Sequence, residues 1–312
     1  MKKYFIFLAV LLFGLLTTLE SCNKQDDLKS YELKETKEMK SLLIELENYN
    51  KAYFKDQPQM TRSLISRLKR LLRVTYVDAV GAIVGSLCGP WGAVGGAALC
   101  SGIVFCADGN LESGGPMLMR FDPIIDEPFE PEGPCQLDYI YDDYLDYTIL
   151  PSILTACTDS IGYNHNSILR SLGENDMLDI TPYNLNLVIS SICNQADTLT
   201  NFGRGYYTNS DLLQSMNFYQ LKALCENSNY TLSFDSFVAQ FIILYPEYSY
   251  ELSFLQSYIT SLCNIDQPDN DGTYATGVLS LIYNSNINEA LKKRLGDAVI
   301  TGNASARLWN LN

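Results

Sequence analysis

Residues 79–107 read AVGAIVGSLCGPWGAVGGAALCSGIVFCA, 29 positions without a charged side chain and with seven glycines. Gly81, Gly85 and Gly89 follow at four-residue steps, and Gly92 and Gly96 repeat the step. Glycines so spaced share one face of a helix, and without a Cβ they let a second backbone approach closely. Gly89-Pro90 breaks the run in its middle, because proline removes a donor and glycine accepts turn geometry. The reading is a helical hairpin with arms near 77–88 and 91–105, packed through Gly81, Gly85, Gly89, Gly92 and Gly96. Two crossings of a bilayer need about 40 apolar residues, so the hairpin is expected to pack against protein or a second copy. Membrane insertion is the alternative.

Working outward, the flanks read as helices. Leu64, Leu68, Leu71 and Leu72 line one face of a helix starting near Thr61, among Arg62, Arg67, Lys69, Arg70 and Arg73. Such a basic amphipathic helix suits an anionic membrane surface or an ordinary protein surface. Met39, Leu42, Leu43, Leu46, Tyr49 and Tyr53 give a helix over 31–55, either a stalk or docked on the body. Beyond the hairpin, 108–138 is rich in proline and acid, which excludes a regular helix. The chain from 139 has helical periodicity, with helices near 142–172, 182–198, 209–227, 233–245, 248–264, 273–284 and 287–301. Pro151 is expected to kink or split the first, and Thr181-Pro182 to start the second. The fold class is all-α: a glycine-rich helical hairpin plus a multi-helix C-terminal domain.

The N-terminus sets an address. Lys2 and Lys3 precede an apolar stretch over 4–19, and Leu19-Glu20-Ser21-Cys22 closes it. This resembles a bacterial lipoprotein signal, in which the cysteine is lipidated and begins the mature chain; Glu20 departs from the small or hydroxyl residue usual there. The resemblance implies a palmitate-type anchor at Cys22 and membrane lipid as a partner. Asn23-Lys24-Gln25-Asp26-Asp27 resembles the acidic tract that sends some lipoproteins to the outer face of the outer membrane, and serves equally as a solvated tether. The expected location is the cell envelope, lipid-anchored, at the outer membrane or cell surface. Residues 79–107 also resemble glycine-zipper stretches of bacterial envelope proteins and membrane-active peptides. The expected organisation is a signal peptide (1–21), a tether and stalk helix (22–57), a basic helix and hairpin (58–107), an acidic linker (108–138) and a helical domain (139–312).

Charge narrows the partners. The net charge is −14, and residues 74–291 carry four basic against 26 acidic side chains. Such a surface repels nucleic acid, so no nucleic-acid partner is expected; a protein partner or self-association is. Excluding Cys22, eight cysteines remain. An exported chain permits disulfides, but most read as buried small apolar residues near helix ends.

Chemistry-bearing groups are few. His165 is the single histidine and reads as a polar residue packed at a helix contact with its nitrogens satisfied. Asp142, Asp143 and Asp146 read as a solvated helix start, and Asp266, Asp269 and Asp271 fall short of a calcium loop. No metal or cofactor is expected. The leading expectation is a non-catalytic envelope protein with an interaction or structural role. A membrane-active, toxin-like protein using residues 61–107 is the alternative, and a hydrolase built on His165 the third.

Overall fold

The computed structural model describes residues 35–55, 65–109, 157–175, 177, 183–200, 204–227, 232–264 and 272–310. They form α1 (35–53), α2 (Ile65–Gly85), α3 (Gly89–Gly109), α4 (Cys157–Glu174), α5 (Leu185–Leu199), α6 (Asn209–Ser215), α7 (Phe218–Asn227), α8 (Phe234–Leu244), α9 (Ser249–Cys263), α10 (Thr273–Asn284) and α11 (Glu289–Asn310). Short 3₁₀ turns lie at Ser86–Cys88 and Pro246–Tyr248. The fold is all-α, with no strand among the described residues.

The hairpin forms, but its arms are longer than the glycine spacing suggests. The expected basic helix and first arm are one 21-residue helix, α2, and α3 also has 21 residues. No proline or glycine interrupts Ile65 to Val80, so the helix runs from its basic start into the apolar run. At 1.5 Å per residue each arm is about 31 Å long, but α2 carries basic side chains up to Arg73, and its remaining stretch, 74–85, stays short of the roughly 20 apolar residues that one crossing needs.

The hairpin is the centre of the molecule. Val74 to Gly85 and Trp91 to Val104 are buried throughout, and they share one hydrophobic core with the C-terminal helices. A helix apolar on all sides belongs in such a core or in a membrane. α11 lies along α2, where a Cβ on Gly302 would meet Ile259 and stand 3.8 Å from Ala79. α4 crosses α11 at Gly162, whose absent Cβ leaves room for Ala304. α5 meets α3 where the Trp91 indole N–H donates to the Cys193 carbonyl at 2.9 Å.

The remaining elements follow local chemistry. Thr208 and Asp211 form a reciprocal capping box at the start of α6, and the Ser233 hydroxyl accepts from the Ser236 N–H at 3.1 Å. The expected helix over 209–227 is two helices, because Asn217 takes a left-handed φ of 50° between them. Asparagine tolerates that conformation better than most residues. The last helix, expected to end at 301, continues to Asn310. Gly302 is there a packing glycine facing Ile259 and Tyr258, not a helix stop. α1 does not stand off as a stalk. It docks through buried Met39, Leu42 and Leu46, and Tyr49 stacks on Tyr274 with ring centroids 5.8 Å apart. Pro151, Thr181 and Pro182 lie outside the described residues.

Candidate functional site

The sequence directs attention to the glycine interface first. A Cβ on Gly85 would run into the Gly92 carbonyl oxygen, and one on Gly92 into that of Gly85. A Cβ on Gly81 would lie 2.5 Å from the Gly96 oxygen, and one on Gly96 would strike the Gly81 oxygen. These four glycines therefore hold α2 against α3. Gly89 acts through its backbone instead. Its φ of 77° and ψ of −167° turn the chain, and nothing lies within 4 Å of where its Cβ would be. The glycine faces are used up inside the chain.

A buried polar cluster joins this hairpin to the helices around it. Asp78 of α2, Ser101 of α3, His165 and Asn166 of α4 and Ser305 of α11 are each at most 1% exposed. The Asn166 amide nitrogen donates to the Ala304 carbonyl at 3.0 Å, so its oxygen faces His165 Nδ1 at 2.8 Å and receives that proton. His165 Nε2 lies 3.2 Å from Ser101 Oγ and 3.4 Å from Asp78 Oδ2. The Ser305 hydroxyl donates to the same Asp78 oxygen at 2.7 Å. The other Asp78 oxygen is buried with no hydrogen-bond partner among the described residues. A carboxylate in such surroundings requires compensation, and the imidazole is the basic group that faces it.

Chemically, Ser101, His165 and Asn166 stand in the order of hydroxyl, base and orienting amide used for nucleophilic catalysis. The resemblance stops at access, since Ser101 and His165 are both 0% exposed. The thiols are equally withdrawn. Cys88, Cys100, Cys193 and Cys263 are free and buried, and Cys225 is buried. Burial pushes the Cys193 and Cys263 thiols up to about 12, and burial followed by the Asp78 charge holds Cys100 well above the usual thiol range. Thiols so shifted are poor nucleophiles at neutral pH.

Several expectations meet their positions here. His165 sits at a helix contact with both ring nitrogens engaged, as its sequence context suggested. Of the basic residues before the hairpin, Arg73 is turned inward: its guanidinium donates to the Leu232 carbonyl at 3.0 Å and covers the Phe237 ring. Cys22, the Asp142 group and the Asp266 group lie outside the described residues. Asp78, Ser101 and Ser305 escaped the sequence reading. Asp78 carried a signal, as the sole charge between Val74 and Ala107. Also missed were the outward tyrosines Tyr183, Tyr206, Tyr207 and Tyr219, the first two fully exposed. Tyr206 and Tyr207 follow Arg204, whose guanidinium lies 5.4 Å from the Trp91 ring near the hairpin turn. Comparison with known proteins finds no matching family model, curated protein or solved structure.

Proposed function

We propose that the chain is a lipid-anchored envelope protein whose helical body works by interaction and not by catalysis. The anchor reading comes from Cys22 and its preceding apolar stretch. The observation that carries the non-catalytic reading is the sequestration of His165, the chain's one imidazole, engaged on both nitrogens and closed off from solvent. The exposed tyrosines are of the residue type enriched at protein interfaces. Photo-crosslinking in intact cells tests this, with a benzophenone residue at Tyr183, Tyr206 or Tyr219 and at Lys69 as a control. The reading expects a protein adduct from the tyrosine positions and none from Lys69. Absence of an adduct from all three tyrosine positions contradicts it.

A second reading is membrane activity. One specific observation favours it: the stretch Leu71–Val104 is apolar enough by length and composition for a single membrane span, although the Gly89 turn folds it into two arms packed on each other. A buried core helix passes the same criterion, so the deciding experiment is functional. Dye release from liposomes by the mature chain or by its Asp78→Asn variant supports this reading, and intact liposomes with both at all protein concentrations contradict it.

A further inference from the structure

We propose that Asp78, His165 and Ser305 form a latch that retains a membrane-competent hairpin inside the body, and that loss of the Asp78 charge releases the hairpin into a lipid bilayer. The proposal rests on the membrane-activity reading and names the control of that same hairpin.

Three relationships carry it. First, the hairpin is a preformed unit. Its two arms contact each other backbone to backbone through Gly81–Gly96 and Gly85–Gly92. Tight glycine packing of this kind persists in lipid as well as in protein. Second, Asp78 is the sole charged residue from Val74 to Ala107. A charged side chain in the hydrocarbon region opposes insertion, and a neutral one does not. Third, Asp78 meets side chains from two of the covering helices. His165 reaches it from α4 at 3.4 Å and Ser305 from α11 at 2.7 Å. One group is thus both a polar tie to the cover and the one charged residue of the 74–107 stretch.

The surroundings of Asp78 are consistent with this single role. From α3 it is faced by Ser101 and by the Cys100 thiol, and from α9 Cys263 sits beside Thr75, one turn away on α2. Further along α11, Asp297 is paired with Lys293 at 2.7 Å. Further bonds from hairpin to cover include Ser101 with His165, Tyr76 to the Leu252 carbonyl, Trp91 to the Cys193 carbonyl, Arg73 to the Leu232 carbonyl and Cys88 with Ser215. None of them places a charge between Val74 and Ala107.

The buried thiols make the latch measurable. Cys100 belongs to the hairpin, and Cys193, Cys225 and Cys263 belong to the cover. The mature chain, as wild type and as Asp78→Asn, is mixed with phosphatidylethanolamine–phosphatidylglycerol liposomes holding a self-quenched dye. A water-soluble maleimide is added, and each cysteine is followed by peptide mass. For Asp78→Asn the latch predicts dye release and alkylation of the three cover thiols about tenfold faster or more than in wild type, with Cys100 still protected. Asp78→Glu keeps the charge and is expected to keep the wild-type pattern. Should Asp78→Asn not fold, the Asp78→Asn/His165→Gln variant leaves no unpaired buried charge and is expected to show the same selective exposure. Alkylation of Cys100 together with the cover thiols in the presence of liposomes is plain unfolding and overturns the latch. Equal dye release from wild type and Asp78→Asn overturns the latch while leaving membrane activity standing. No release from any variant overturns both.

Discussion

Gly85 and Gly92 lie so close across the hairpin that a Cβ on either would enter the space of the other's carbonyl oxygen. The obstructing atoms are backbone, so no side-chain rotation relieves the clash. Overpacking of this sort costs about 1–3 kcal/mol and occasionally more. Gly85→Ala is expected at the upper end of that range in denaturant unfolding. Gly95→Ala is the control: its Cβ would meet the flexible end of Leu212 at 3.2 Å, and alanine gains up to about 1 kcal/mol of helix propensity over glycine. It is expected to be close to neutral.

Gly89 makes the opposite contrast. Space around it is open, yet its φ of 77° and ψ of −167° fall in a region that is essentially reserved for glycine. Gly89→Ala is therefore expected to lower stability by about 1–3 kcal/mol through backbone strain alone. A neutral result in thermal unfolding would mean that the turn is not held as described.

The Asp78–His165 pair predicts a strong coupling. Removing His165 takes the facing basic group from a buried carboxylate that keeps the Ser305 hydroxyl, and removing Asp78 takes a partner from the His165 ring; breaking a buried pair in this way costs up to about 3–5 kcal/mol. Asp78→Ala and His165→Ala should each be severely destabilised, and the double variant should lose much less than their sum. By comparison, the partly exposed pair of Arg204 with Asp197 should contribute about 1 kcal/mol or less. Additive losses at Asp78 and His165 would show that the pair is not a unit.

The thiols predict an alkaline limit. Cys193 and Cys263 are raised from about 9 to about 12 in the folded chain. Above about pH 9 the unfolded state releases these protons while the folded state keeps them, so the unfolded state binds fewer and stability falls as pH rises. The decline should run from about pH 9 towards pH 12, with a slope of roughly 1.4 kcal/mol per pH unit for each thiol. Cys193→Ala with Cys263→Ala should flatten it in urea titrations.

Much of this architecture was legible in the sequence because it is local. The four-residue glycine step and the Gly89-Pro90 break are short-range signals, and they yielded the hairpin and its turn. The range 273–284 matches α10, whose apolar period is clean and whose ends are polar. Errors arose where a residue type has two meanings. Gly302 resembles a helix stop, but Ile259 and Tyr258 pack against it and the helix continues. Asn217 resembles an ordinary helix residue, but it takes a left-handed turn. The polar cluster was hidden for another reason. Asp78, Ser101, His165 and Ser305 are far apart in sequence and meet only when α2, α3, α4 and α11 assemble, so no spacing rule links them. The pairing of Asp78 with His165 is a product of packing, although each was conspicuous alone as the single charge of its stretch and the single histidine of the chain.

The claim on which the functional account depends is the lipid at Cys22. Cells expressing the wild-type chain and Cys22→Ala are grown with a clickable palmitate, and the protein is isolated from membrane and soluble fractions. The account predicts label and membrane recovery for the wild type, and neither for Cys22→Ala. Equal labelling of the two, or an unlabelled wild-type chain in the soluble fraction, would contradict it.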